Sequence, residues 1–495
     1  MDTCERRSHK VQVVIVGGGN AALCASIAAK QHGAQVSLFE RAPFELRGGN
    51  SRFTAGAMRT VYNGVKDLVK IMPDLTADEI QNTDFGSYRR EEFYDDLGRV
   101  TQYRTDPNLA EKLIEGSFET LEWMHSCGVR FLPLYGRQSF EHDGKVKFWG
   151  GLTVEAWGGG PGLIDSLTEI ARNLGVDIHY GVKVTTLLTD EGGRVNGIMA
   201  GNKQLKADAV VLACGGFESN PEWRTRYLGP GWDLARVRGT RFNTGDGIRM
   251  ATSVGAATRG HWSGCHAVGW DLNAPEFGDL VVGDNFQKHS YPFGILINAR
   301  GERFVDEGAD LRNYTYAKYG REVLHQPGQF AYQIFDKKVQ HLLRDEYHIK
   351  QVTKFSADSI ESLAAKIPEV DQANFVATVD TFNNSVATEI PFNPTVKDGR
   401  NTRGLAIPKS NWANKLDTPP FEAYGITCGI TFTFGGLHVD AQARVIGESG
   451  EPIAGLYAAG ELVGGLFYFN YPGGTGLTSG AVFGRTAGTN AAVEP

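Results

Sequence analysis

Val11 to Val16 (VQVVIV) is apolar at nearly every position, the pattern of a strand buried on both faces of a parallel sheet. It runs into Gly17-Gly18-Gly19-Asn20-Ala21-Ala22 and then an Ala-rich stretch to about His32 that predicts a helix. A second strand is predicted over Ala34–Phe39, ending at Glu40, which makes a strand–turn–helix–strand unit of about thirty residues. Apolar positions recurring every three to four residues predict helices from about Pro107 to Cys127 and from Gly160-Pro161 to Asn173. Shorter apolar runs at Val176–Tyr180, Lys183–Leu188, Val195–Met199 and Ala209–Ala213 predict strands, with a hairpin turn at Glu191-Gly192-Gly193. From about residue 257 to 432 the pattern turns to aromatics, His and polar loops, and from Gly435 the glycine clusters and apolar strands return. The expected organisation is an N-terminal domain over 1–256, an inserted domain over 257–432, and a C-terminal segment, 433–495, that completes the first domain.

Composition narrows the class. Glycine supplies 62 of 495 residues, clustered rather than periodic, which indicates close backbone approaches and excludes collagen. A 41% hydrophobic share with 22% charged residues is globular, not disordered. The net charge of −7 excludes the basic stripe of a dedicated nucleic-acid binder. Six scattered cysteines with no C-x-x-C pair fit neither a disulfide framework nor a zinc or iron–sulfur site, so no metal is expected. The polar start, MDTCERRSHK, lacks the apolar region of a signal peptide, and no apolar run is long enough for a membrane span. A cytoplasmic enzyme is expected.

The glycine turn points to a dinucleotide. In Gly17-x-Gly19-x-x-Ala22, the first Gly permits a tight turn and the second lets the backbone approach a pyrophosphate; the small third residue packs helix on strand. The N-terminus of the helix offers free N–H groups to phosphate. Glu40, about twenty residues on, stands where a carboxylate accepts from ribose hydroxyls.

Three further segments argue for FAD over NAD: RGGNS at Arg47–Ser51, ADAVVLACGG at Ala207–Gly216, and the pair AAGE (Ala458–Glu461) and PGGTGLT (Pro472–Thr478). Here the chain resembles the fumarate reductase and succinate dehydrogenase flavoproteins. Within them it is most similar to FAD-dependent tricarballylate dehydrogenases, through GGGNAAL, DEGADLRNYTYAKYG, ITFTFGGL and NYPGGTGLTSGAVFGRTAG. The resemblance implies an α/β fold: a Rossmann-like, three-layer ββα FAD-binding domain with an inserted α+β domain capping the substrate. It implies that Gly17, Gly19, Asn20, Ala21 and Ala22 hold the pyrophosphate and Glu40 and Arg41 the adenosine. Gly49, Asn50 and Ser51 would lie by the pyrophosphate or flavin. Glu461 would take the ribityl chain, and Thr475, Gly476, Leu477 and Thr478 the pyrimidine edge, with Val184, Ala213, Gly215 and Asp246 completing the cradle. Membrane-bound relatives tether FAD to a His in the segment matching Asn50–Arg52; none stands there, so a noncovalent flavin is implied.

Forming a C=C bond needs a hydride acceptor on one carbon and a proton acceptor on the other. The resemblance implies Arg312 as the proton carrier, following Gly301-Glu302-Arg303-Phe304-Val305-Asp306-Glu307; the alternative is an ion pair of Arg312 with Glu307 or Asp306. It implies His266 as a carboxylate contact, with His261 a weaker candidate. Departures are equally informative. Phe432 stands where relatives carry a second substrate His, Tyr471 where they carry a second substrate Arg, and Gln287-Lys288-His289-Ser290 where they carry a proton relay. Three readings follow: a dehydrogenase of a tricarballylate-like polycarboxylate using Arg312; a desaturase of a ketone-bearing or lipophilic metabolite with Tyr471 as acid; and a non-catalytic flavin electron-transfer subunit. Without haem or iron–sulfur motifs, electrons would leave to oxygen, a diffusible carrier or an iron–sulfur partner.

Overall fold

The computed structural model describes residues 10–493; most of the polar N-terminal stretch, Cys4 included, lies outside that range. Strand Gln12–Val16 stands inside a six-stranded sheet, between parallel neighbours Gln35–Glu40 and Ala209–Leu212. Asp177–Tyr180 extends the sheet on one side and Pro452–Ala458 on the other, again in parallel, and Arg444–Ile446 closes an edge antiparallel. Val13–Val16 and Ala209–Leu212 are buried throughout, which is why these strands read as continuous apolar runs. The sheet is thus assembled from both ends of the chain.

Helix Asn20–Gln31 leaves the first strand and packs along the C-terminal helix Thr475–Ala491. Gly480, Gly484 and Gly488, four residues apart, fall on one face of that helix. A Cβ on Gly484 would lie 2.4 Å from the Ala21 carbonyl oxygen, and one on Gly488 2.0 Å from that of Ala25. The two backbones meet because nothing stands between them. The other predicted helices run over Pro107–Cys127 and Gly159–Asn173. The first is capped by the Asp106 carboxylate, opens on Pro107, and stops at Gly128 with φ +118°. The hairpin expected at 191–193 joins Val184–Thr189 to Val195–Ala200.

A second, mainly antiparallel sheet is built on the long strand Phe421–Leu437, which pairs with Thr258–Asp271, Phe330–Phe335 and Lys354–Ala357. Its far end belongs to an apolar core of residues between Ile295 and Ala423, whereas Phe434 and Leu437 join the core of the dinucleotide sheet. One strand therefore passes from one body to the other, through residue 432 without a break. A register shift between His261 and Cys265, and another after His266, bend the ribbon where His266 faces Phe432. Among the described residues no helix is long and apolar enough to cross a membrane, and no His, Cys, Asp or Glu cluster is arranged to hold a metal ion.

Candidate active site

One cleft is lined by residues of both sheets and of the glycine-rich turns. Gly17 has φ +117°, and a Cβ there would lie 2.2 Å from the Ala213 carbonyl oxygen. Gly18 leaves room for Glu40, whose Oε2 would be 2.7 Å from an added Cβ. The helix that follows begins without a cap from Gly19, so its first N–H groups are left for a ligand, apart from that of Asn20, which donates to Ser51 Oγ at 3.2 Å. Glu40 is buried, its Oε1 accepting from the Ala42 N–H at 2.7 Å; burial pushes its carboxyl up. A second helix N-terminus reaches the cleft at Gly476 and Leu477, after Gly474 at φ +82°.

The residues expected to hold a cofactor converge here. Gly17, Gly19, Asn20, Ala21, Glu40, Arg41, Gly49, Asn50 and Ser51 line the cleft, as do Val184, Ala213, Gly215, Asp246, Glu461, Gly476 and Leu477. Ala22, Thr475 and Thr478 do not. Ala22 is sealed between helix and sheet, while the threonine hydroxyls donate to the carbonyls of Pro472 at 2.6 Å and Arg59 at 2.8 Å, fixing the turn. Asp246 accepts from Arg41 at 2.6 Å and pairs with Lys183 at 3.1 Å; burial raises its carboxyl, but Lys183, Arg41 and Arg249 hold it below the usual range. Asn50 donates to Glu218 Oε1 at 2.6 Å and to the Thr431 carbonyl at 2.5 Å.

Glu461 accepts from the Thr433 N–H at 2.9 Å and meets Glu218 carboxyl to carboxyl. Burial, then the Glu461 charge, drives the Glu218 carboxyl well above the carboxylate range, and burial raises Glu461 as well. Asn243 bridges them, 2.7 Å from Glu218 and 3.3 Å from Glu461. Glu218 and Asn243 escaped the sequence reading, although Glu218 follows the paired glycines by two residues. Two helix N-termini, a turn with no room for a Cβ, and a buried carboxylate fit FAD.

Arg312 reaches the same cleft. Its guanidinium donates to Gln138 Oε1 at 2.9 Å and to the Arg137 carbonyl, and stands 5.5 Å from the Trp149 ring centroid. Burial lowers its pKa. The ion pair considered for it is not formed. Glu307 is taken by Arg303 at 2.5 Å, and Asp306 accepts from the Ser410 and Gly308 N–H groups, each at 2.9 Å. Two further arginines line the cleft that no local pattern had marked. Arg137 pairs with Asp284 at 2.8 Å, and Arg238 grips the other Asp284 oxygen through Nε at 2.7 Å.

The remaining wall is aromatic: Phe432, Phe467, Tyr471 and Tyr316, with the Tyr316 and Tyr471 hydroxyls in a short hydrogen bond. His266 stands behind this wall instead of lining the cleft. It stacks on Phe432 at 5.2 Å and meets Tyr316 and Tyr471 edge-on at 5.0 and 4.9 Å. Fully buried, it is held neutral by desolvation and then by the Arg238 charge. His289 does line the cleft; burial, followed by Arg312, Arg238 and Arg137, holds it neutral too. Lys288 points away into a buried pair with Asp271 at 3.3 Å. His261, outside the cleft, accepts from the Phe469 N–H at 2.9 Å.

A sequence profile described as FAD binding domain matches residues 12–477. A probable fumarate reductase of Shewanella frigidimarina, Ifc3, is 30% identical over 98% of this chain and 75% of its own length. The open conformation of a flavocytochrome c3 fumarate reductase superposes with a TM-score of 0.71 at 28% identity, covering 98% of this chain and 78% of that one. A 3-ketosteroid-Δ4-(5α)-dehydrogenase of Rhodococcus jostii RHA1 superposes with a TM-score of 0.69 at 25% identity, covering 99% and 98%.

Proposed function

The chain belongs to the FAD binding domain family and is an FAD-dependent oxidoreductase acting on C=C bonds; from that premise we propose that its substrate is an unsaturated carboxylate, or the saturated acid in reverse, with Arg312 handling the proton. FAD, when bound, supplies the hydride acceptor or donor. The helix N-terminus at Gly19–Ala21 would hold its pyrophosphate, Glu40 its adenosine ribose, and Gly476 and Leu477 its ring edge, without a covalent tether because residues 50–52 offer no His.

The observation that carries the reading is the setting of Arg312. Its guanidinium is oriented by two neutral oxygens, of Gln138 and Arg137, and neither Glu307 nor Asp306 takes it up. Desolvation lowers its pKa, so it gives up a proton to a substrate carbon more readily than a solvated arginine does. A flavin subunit without a substrate has no use for such a group. The substrate class is broader than tricarballylate, which rests on resemblance alone. In a test, protein reduced anaerobically with dithionite is mixed with unsaturated acids while flavin reoxidation is followed. Wild type reoxidises; Arg312→Lys keeps its flavin and does not. Equal rates would reject the role of Arg312.

The Tyr316–Tyr471 hydroxyl pair favours a second reading, in which Tyr471 acts as an acid toward a ketone-bearing substrate. It is supported by the likeness to a ketosteroid dehydrogenase. That reading requires Tyr471→Phe to lose turnover on an enone while Arg312→Lys retains it.

A further inference from the structure

We propose that Arg137 and Arg238 form a clamp for one substrate carboxylate, and that the substrate carries a flat apolar body where a second carboxylate would otherwise be. The inference rests on the reading of an unsaturated carboxylate and narrows it. Arg137 and Arg238 come from segments far apart in the chain and meet on opposite oxygens of Asp284, 2.8 Å and 2.7 Å away. Both line the cleft, and the single Asp284 charge balances only one of them. Gln287 Nε2 donates to Asp284 Oδ2 at 2.9 Å, so the aspartate is fixed by neighbours and serves as a frame for the two guanidiniums. With Arg312 a third cation on the same cleft, the site holds a net positive charge in a partly desolvated space, where planar guanidinium forks favour a carboxylate.

Among the described residues, the aromatic wall offers a second anion no guanidinium of its own. Phe432, Phe467 and Tyr471 line the cleft as rings. Phe432 has ring centroids of Phe467 and Tyr471 at 5.9 Å and 5.2 Å, and its other face is covered by His266. His266 cannot serve as an anion anchor, because it stands behind Phe432, and burial followed by the Arg238 charge disfavours its protonation. Rings whose neighbours are rings are met best by a flat apolar group, which gains stacking as well as burial. A 3-arylpropenoate has this form, with a carboxylate at one end of the C=C bond and a flat ring at the other.

The probes are 3-phenylpropanoate, its unsaturated counterpart 3-phenylpropenoate, the methyl ester of the latter, and fumarate. Binding of 3-phenylpropanoate to the oxidised holoenzyme is read from the flavin difference spectrum, and turnover from reoxidation of the reduced flavin. The wild type is expected to bind the saturated acid and to reduce 3-phenylpropenoate with a higher kcat/KM than fumarate. Arg137→Gln and Arg238→Gln should each weaken binding of the acid about 10- to 100-fold, the loss expected for a hydrogen bond to a charged group. The preference for acid over ester should fall by the same factor. Arg137→Lys should restore part of it. Arg137 lies at the less buried end of the clamp, so its variants guard against a fold lost in Arg238→Gln. Unchanged binding in folded, flavin-loaded Arg137→Gln, or a preference of the wild type for fumarate, overturns the proposal. Turnover retained in Arg312→Lys would reject the parent reading while leaving the binding result to stand by itself.

Discussion

Arg312 lies against Trp149 with its N–H groups on two neutral oxygens, which fix it in place, while burial eases it toward losing a proton. Replacing it with Lys removes the planar fork and shifts the cation, so kcat should fall about 100- to 10,000-fold, the usual worth of a positioned proton donor. Flavin absorbance of the purified variant should be unchanged. The two histidines of the site make a different prediction. Burial and neighbouring arginines hold His266 and His289 neutral, well below the ordinary imidazole range. Affinity for 3-phenylpropanoate should therefore stay level from pH 8 to pH 6, measured by flavin difference titration. A histidine anchor would tighten it as pH falls through about 6.5.

At the scale of elements, the cofactor cradle depends on two helices meeting backbone to backbone. Gly484 and Gly488 permit the contact with Ala21 and Ala25, and both helices present their N-termini to the cleft. Gly484→Ala would force a methyl group to within 2.4 Å of a carbonyl oxygen unless the helices part. Overpacking of this kind costs about 1–3 kcal/mol. The urea midpoint should drop accordingly, and the variant should lose FAD on gel filtration where the wild type keeps it. The first helix was legible in the sequence as an Ala-rich run after the glycine turn, whereas the second, Thr475–Ala491, lies where glycine clusters and apolar strands were expected. Pairing of the long strand Phe421–Leu437 with four partner strands, Arg236–Val237 among them, was not legible, because register across distant segments leaves no local mark.

For the molecule as a whole, buried titratable groups set opposing pH dependences. The Glu218–Glu461 pair binds a proton in the folded state that ordinary carboxyls in the unfolded chain release above about 4.5. Its contribution is complete at low pH and is lost as pH rises through the raised folded value. Neutral His266 and His289 act in the other sense: the unfolded chain takes up protons below about 6.5, so stability falls as pH drops past that point. Glu218→Gln, which keeps the hydrogen-bonding shape without the titrating proton, should flatten the alkaline decline of the melting temperature and leave the acidic decline intact. The absence of a His at residues 50–52 gives a simpler test. Heat-denatured protein passed through an ultrafilter should release its FAD in full.

What the sequence determined by itself is whatever a short window can encode. Val11–Val16, the Gly17–Ala22 turn and Glu40 prescribed the cradle because buried strands, tight turns and helix starts have local signatures, and the helix over Pro107–Cys127 announced both its ends. Tertiary packing decided the rest. Only the folded chain brings Arg137 and Arg238 to one aspartate and Glu218 to Glu461, sets His266 behind Phe432, and leaves Arg312 without Glu307. Such contacts join segments separated by many turns of chain, and their strength comes from desolvation, which exists only after the two bodies close on each other.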